Sequence, residues 1–383
     1  MTQFFQQIFI KIVSIIAGLI ITLGIIQMPS DEYQKQPSLT TKEISQIHLS
    51  DQKATTDKAT TTPPKEIPKK EGKKISAPEA AIPETQQPET PTLPAISLTK
   101  LNEEVRKTIV NIICENRAGG SLNPITGSGV IVSSKGIILT NAHIGQYFLL
   151  EGIPETGYLN CVIRNGDIAQ PAYDAKLIYI PSVWIEKNAE NIIQQKPQGT
   201  GENDYAFLLI TESALLNKEL PSSFDFTEPN FDFNILPINF SVFLAGYPAG
   251  FLGGAEIQKN LGLLSTFANI IDLYTFATAS PTTLDLISLS GNIASQSGSS
   301  GGAVVDTRNG KLLGIITTSS EATTTSGRIL NAITLPHIKR SFEKYTGESL
   351  PYFLDTPEDY DVLSRAEFNR LKEILIKQLN KNS

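Results

Sequence analysis

The sequence predicts an all-β body built as two six-stranded antiparallel β-barrels, and three observations carry that expectation. From about residue 98 the chain breaks into short β-branched or aromatic runs. Gly, Pro, Asn and Asp separate those runs at regular spacing, as turns between short strands require. The runs do not alternate with helical segments, as a parallel βαβ sheet would demand. They fall into two sets, about 98–225 and about 235–340, each large enough for one small barrel.

In order, the first set is VNIIC (110–114), GSGVIVSS (127–134), GIILTN (136–141), YLNCVIRN (158–165), AKLIYI (175–180) and DYAFLLI (204–210). The second is SVFLAGYP (241–248), AEIQKNLGLLSTFANI (255–270), DLYTFATA (272–279), LDLISLS (284–290), GAVVDT (302–307), KLLGIIT (311–317) and ILNAITL (329–335). After Leu335 the periodicity turns helical. PHIKRSFEKY forms one short helix, and residues 341–383 read as a short C-terminal helical extension. Within it SRAEFNRLKEILIKQL (364–379) sets Phe368, Leu371, Ile374, Leu375 and Leu379 on one face, with Ser364 and Glu367 spaced as a capping box.

The chain before the body has a different character. Residues 8–28, IFIKIVSIIAGLIITLGIIQM, approach the roughly 20 apolar residues that span a bilayer. The run is longer than a signal-peptide core and lacks a small-x-small cleavage site, so 1–30 reads as an uncleaved N-terminal transmembrane helix. Residues 31–97 are rich in Thr, Pro, Lys and Glu and cannot bury enough apolar surface to offset the entropy of ordering. They are expected to form a disordered linker holding the body, residues 98–340, away from the membrane. An N-terminus in the cytoplasm and a body outside it is the default topology.

Composition narrows the chemistry. The 383 residues carry a net charge of −7 with a pI near 5.2, which argues against a nucleic-acid partner. The two cysteines, Cys114 and Cys161, lack metal-ligand spacing and fit either a disulfide or two buried thiols. No metal or organic cofactor is implied. Of the three histidines, His48 lies in the linker, leaving His143 and His337 for any imidazole chemistry.

His143 stands at a turn directly after a strand pair, and Asp204 opens an apolar strand. SQSGSSGGAVV (295–305) places four serines before a buried run. Each alone is a common structural feature. Together they supply what a serine nucleophile needs: a base to take the hydroxyl proton and an acid to orient that base. Ser300 alone among the serines has Gly301-Gly302 after it and a glycine two residues before it. GSSGG also satisfies the Gly-x-Ser-x-Gly elbow, with Asp306 and His337 downstream. That elbow needs a helix after the serine, and here a strand follows.

These motifs resemble those of trypsin-like serine proteases, particularly the HtrA/Deg branch. TNAHI resembles the family's histidine motif, NDYAFLLI its Asp-x-Ala-x-Leu strand, and GSSGGAVV its Gly-x-Ser-Gly-Gly signature. GSGVIVSSKGIILTNAH is similar to the HtrA-type hairpin before the histidine, and LAGYPAG to the start of the second barrel. The resemblance covers about residues 105–335. It implies a chymotrypsin-like serine endopeptidase acting on protein or peptide substrates, unfolded or envelope proteins among them, with His143, Asp204 and Ser300 as the catalytic triad. It further implies an oxyanion hole from the N–H groups of Gly298 and Ser300. The specificity pocket would have Ala294 near its base and Thr317 to Ser319 along one wall; with no aspartate at the base, a small or medium apolar P1 residue is expected.

Several residues depart from the relatives. Ser299 stands where trypsin has the aspartate that pairs with a freed N-terminus, so that activation route does not apply. The serine loop, Gln296-Ser297-Gly298-Ser299-Ser300, lacks the proline of the HtrA loop. It is expected to be mobile, with an oxyanion hole ordered by substrate or partner. The residues after Leu335 are too few for a PDZ domain, and oligomer contacts cannot be read from the motifs. The rival reading is a catalytically silent pseudoprotease that binds peptides as a scaffold.

Overall fold

The structure, a computed structural model, describes residues 96–116, 122–156, 158–194, 200–276, 283–319, 329–359 and 364–381. The expected anchor, and the linker up to residue 95, lie outside the described residues. Among the described residues no helix is long and apolar enough to cross a membrane.

Twelve strands form two closed barrels. The first takes β1 (Ile109–Asn116), β2 (Ile125–Ile131), β3 (Ile137–Thr140), β4 (Leu159–Asn165), β5 (Gln170–Tyr179) and β6 (Ala206–Ser213), in the order β1-β2-β3-β6-β5-β4. The second takes β7 (Ser241–Gly246), β8 (Leu264–Tyr274), β9 (Leu286–Leu289), β10 (Ala303–Asp306), β11 (Leu312–Ser319) and β12 (Leu330–Thr334), in the order β10-β11-β12-β9-β8-β7. Adjacent strands are antiparallel throughout. This is a chymotrypsin-like double barrel. Closure pairs every edge strand and so removes the exposed edges that would invite aggregation.

Each barrel fills itself with branched aliphatics: Val110, Ile112, Ile138 and Leu208 in the first, and Val242, Leu244, Ile287 and Val304 in the second. A third buried cluster draws Ile109, Val130 and Phe207 from the first barrel and Phe243, Ala245 and Val305 from the second. This shared layer lets strand ends of both barrels contribute to one site.

Cys114 and Cys161 are direct cross-strand partners on β1 and β4, and they form a disulfide with an S–S distance of 2.05 Å. The two alternatives the sequence left open thus resolve to the bridge.

Residues 255–270, expected as one strand, divide into helix α4 (Gly254–Asn260) and β8. The helix, with the polar Glu256, Gln258 and Lys259, buries no residue, whereas the buried apolar run begins after it, at Leu261 and Leu263. The strand expected over 272–279 is in part a continuation of β8 as far as Tyr274. Further helices had no forecast: α1 (Leu98–Thr108), α2 (Ala142–Gly145) and α3 (Ser182–Asn188), with 3-10 turns over Gln146–Leu150 and Ala189–Ile193. On α1, Leu101, Val105 and Thr108 recur at helical spacing and are buried. Arg106, in its last turn, donates to Asp167 at 2.6 Å and to the Leu263 carbonyl, binding α1 to the start of β8.

The C-terminal segment is helical as expected. α5 (Leu335–Thr346) starts at a Thr334 cap that accepts the His337 N–H and stops at Gly347, whose φ of 78° a glycine adopts without strain. A short α6 (Leu350–Asp355) follows, then α7 (Arg365–Asn380). The Ser364 hydroxyl accepts the Glu367 N–H at 3.2 Å, one half of a capping box. The other half is absent because the Glu367 carboxylate binds Ser182 and Arg370 instead. Leu371, Leu375 and Leu379 are fully buried against the first barrel, in one cluster with Phe148, Leu149, Trp184 and Ile192. Burying each contributes about 1.5–3 kcal/mol.

Candidate active site

The strand β3 ends at Thr140, and Asn141 leads into the short α2 that carries His143. Asp204 lies two residues before β6, the strand paired directly with β3. Its carboxylate is buried and fully engaged. Oδ1 accepts the backbone N–H of His143 at 3.0 Å, and Oδ2 meets the His143 ring at Nδ1 at 2.9 Å. Oδ2 also accepts the Thr317 hydroxyl at 2.8 Å. Asn141 Nδ2 donates to the Asp204 carbonyl, fixing the backbone as well. Burial pushes the Asp204 carboxyl up, but the His143 charge, the His143 ring and backbone bonds and the Thr317 hydroxyl outweigh it. The group is held below the usual carboxylate range. An ionised Asp204 keeps the proton on Nδ1, which leaves Nε2 with its lone pair free to act as a base.

The backbone next to Asp204 is unusual. Asn203 has φ of 60°, a left-handed conformation that few residues with side chains adopt, and it is buried. The Ser341 hydroxyl of α5 donates to Asn203 Oδ1 at 2.7 Å and accepts from the Tyr205 hydroxyl at 2.9 Å. One serine thus clasps both neighbours of Asp204.

Ser300 lies on the loop between β9 and β10. Its hydroxyl donates to the Thr317 carbonyl at 3.4 Å, and among the described residues no hydrogen bond joins it to His143. The loop is pinned from two sides. From the second barrel, the Ala249 N–H donates to the Ser297 carbonyl at 2.7 Å, and the Gly301 N–H donates to the Ile316 carbonyl at 2.8 Å. From the first, Ser128 binds the Gly298 and Ser300 carbonyls, each at 2.7 Å. The loop that lacks the HtrA proline is thus bonded to both barrels.

Gly298 has φ of 90°, and a Cβ there would lie 2.6 Å from the Tyr247 carbonyl oxygen. Only glycine fits. In a trans peptide the C=O and N–H point in opposite directions. The Ser297 carbonyl, turned toward Ala249, therefore sends the Gly298 N–H the other way. Among the described residues neither the Gly298 N–H nor the Ser300 N–H donates to any acceptor.

Ser299 is buried, and its hydroxyl has no partner among the described residues; as a neutral group it needs no counter-ion. Ala294 is buried and its N–H donates to Asn292 Oδ1. Thr317, expected along a pocket wall, turns its hydroxyl to Asp204. Ser319 ends β11, and its side chain is outside the described residues. The members of the elbow pattern are dispersed. Asp306 pairs with Arg308 at 2.7 Å, and His337 Nδ1 pairs with Asp285 at 3.2 Å, where Arg340 also binds. Among the described residues no group of three or more His, Cys, Asp or Glu could hold a metal ion.

Sequence reasoning missed Thr317 as a partner of Asp204, Ser341 as the clasp, and Ser128 as a tie to the serine loop. Only Ser128 left a trace, as the middle of the Gly-Ser-Gly quoted for its resemblance.

Two closed six-stranded barrels, with a histidine–aspartate pair and a glycine-flanked serine drawn from both, are arranged as in chymotrypsin-like serine proteases. Residues 127–315 match the model of the trypsin-like peptidase domain family. The crystal structure of Deg5 is 19% identical over 67% of this chain and 93% of that one, with a TM-score of 0.41. The Rv3671c protease from M. tuberculosis, in its active form, is 18% identical over 69% of this chain and 94% of that one, with a TM-score of 0.38. No curated protein sequence matches the chain.

Proposed function

We propose that the protein is a serine endopeptidase that hydrolyses peptide bonds through His143, Asp204 and Ser300, held outside the cytoplasm by the apolar segment 8–28. The observation that carries the reading is the doubly bonded His143–Asp204 pair, joined to Ser300 through Thr317. The hydroxyl of Ser300 leaves the Thr317 carbonyl, gives its proton to His143 Nε2 and attacks the scissile carbonyl carbon. Hydrogen bonds in a catalytic site without substrate are often long, so a 3.4 Å resting contact is compatible with this step. The Gly298 and Ser300 N–H groups receive the oxyanion, each worth about 3–4 kcal/mol. His143 then delivers the proton to the leaving amine, and water repeats the sequence to release the acyl group. Substrates are polypeptides; the HtrA-like motifs favour unfolded or envelope proteins, and the absence of an acid at Ala294 favours an apolar P1 residue.

A second reading, a silent peptide-binding pseudoprotease, is favoured by one observation: the Ser300 hydroxyl rests on Thr317 and not on His143. Labelling of the purified full-length protein by a fluorophosphonate, with Ser300→Ala as control, separates the two. Label lost in the variant supports the endopeptidase. A folded protein that takes no label supports the scaffold.

A further inference from the structure

We propose that Ser128, far from the triad in sequence and outside it in chemistry, is the positioning residue that sets the oxyanion loop against the histidine strand. The inference rests on the serine-protease reading above and deepens it.

Every polar group of Ser128 is engaged. Its N–H donates to the Ser300 carbonyl at 2.7 Å. Its carbonyl accepts the Thr140 hydroxyl at 2.7 Å, three residues before His143. The hydroxyl donates to the Gly298 carbonyl at 2.7 Å and accepts the Tyr247 N–H at 2.8 Å. One buried residue of β2 thus holds the histidine strand, the nucleophile, the oxyanion loop and the end of β7.

The surrounding glycines show how closely these segments approach. A Cβ on Gly301 would lie 2.0 Å from the Ser128 carbonyl oxygen, and one on Gly246 would lie 3.2 Å from its hydroxyl. The Gly-Ser-Gly of β2 and the Ser-Gly-Gly that begins with the nucleophile are therefore two halves of a single contact.

The hydroxyl has a specific task within it. Two carbonyls bracket the Gly298 N–H, that of Ser297 on Ala249 and that of Gly298 on Ser128. The first fixes the peptide that carries the N–H, and the second, with the Ser299 N–H on the Gln296 carbonyl at 3.2 Å, fixes the peptide that follows. Without the Ser128 hydroxyl, the Gly298 carbonyl and the Tyr247 N–H lose their partner in a buried place, and the cheapest repair is rotation of the 298–299 peptide. That rotation changes ψ of Gly298 and φ of Ser299, which moves the Ser300 N–H relative to the Gly298 N–H. The Ser128 hydroxyl acts on the reaction only through these two donors.

The test compares full-length wild type with Ser128→Ala and Ser128→Thr. Three quantities are read: the first-order rate and the apparent binding constant for fluorophosphonate labelling, the melting temperature, and amide hydrogen exchange over residues 297–301. Ser128→Ala should slow the first-order step by roughly 10- to 100-fold, because oxyanion donors act on the chemical step. The binding constant should stay within about two-fold, exchange at 297–301 should accelerate, and Ser128→Thr, which keeps the hydroxyl, should restore both. If Ser128→Ala does not fold, Ser128→Cys fills the same space as a weaker donor and is read the same way. Wild-type labelling and exchange in the variant would overturn the proposal. So would a loss seen only as a smaller labelled fraction that tracks the melting temperature. If wild type takes no label, the endopeptidase reading has failed, and exchange alone decides the role of Ser128.

Discussion

The Thr317 hydroxyl lies 2.8 Å from Asp204 Oδ2, while the carbonyl of the same residue accepts the Ser300 hydroxyl at 3.4 Å. A single residue of β11 therefore touches the acid and the nucleophile, which come from different barrels. Its two contacts also differ in consequence. The bond to Asp204 helps keep the carboxylate ionised, whereas the bond to Ser300 orients the hydroxyl.

Thr317→Val keeps the shape and removes the hydroxyl. A hydrogen bond to a charged group contributes about 1.5–3 kcal/mol. If most of it is felt by the triad, fluorophosphonate labelling should slow roughly 10- to 100-fold. The melting temperature measured in parallel shows how much of the loss falls on folding. A labelling rate equal to wild type would mean that Asp204 is held sufficiently by His143 alone.

A second aspartate governs acid stability. Burial pushes the Asp285 carboxyl up, but bonds from His337, the Phe276 N–H and the Thr275 hydroxyl outweigh it and hold the group far below the usual carboxylate range. A carboxyl with a lowered folded-state pKa stabilises the fold fully above its unfolded value, and that stabilisation fades as pH falls toward the folded one. Asp285→Asn should thus lower the melting temperature at pH 7, by about 4–8 °C for roughly 2 kcal/mol. The gap between variant and wild type should narrow below about pH 4. Melting curves across pH 2–7 check the sign; a gap that widens on acidification would contradict it.

The Cys114–Cys161 bridge closes a loop with a sequence separation of 47 that contains His143. In the chain-entropy account a loop of that length contributes about 4 kcal/mol, and less where the strands already pair. Replacing both cysteines by serine should lower unfolding stability by about 2–4 kcal/mol in urea. Ser300 labelling should survive at low temperature, since β1 and β4 keep their ladder.

The strands were legible because each is a short branched run bounded by turn residues, and the histidine, aspartate and serine were legible because their motifs are local. VNIIC and YLNCVIRN could each be read as strands, but nothing within either says that Cys114 faces Cys161. α4 was misread because the turn residues Asn260 and Gly262 between helix and strand were read as part of one continuous run. Thr317 escaped because its bond to Asp204 crosses 113 residues and joins two barrels. The clasp of Ser341 on Asn203 and Tyr205 was hidden likewise: a serine on a helix carries no mark of what its hydroxyl will meet.

α7 packs beneath the turn over Gln146–Leu150 that continues from His143, and it supplies Leu371, Leu375 and Leu379 to the outer layer of the first barrel. In chain order these leucines come after every strand of both barrels. During synthesis the first barrel therefore emerges with its outer layer open, and the second is made before that layer can close. The histidine turn gains its full support only once the protein has been translated beyond both halves of the cleft. A product truncated before α7 would hold His143, Asp204 and Ser300 and still lack the helix against which the turn over Gln146–Leu150 packs.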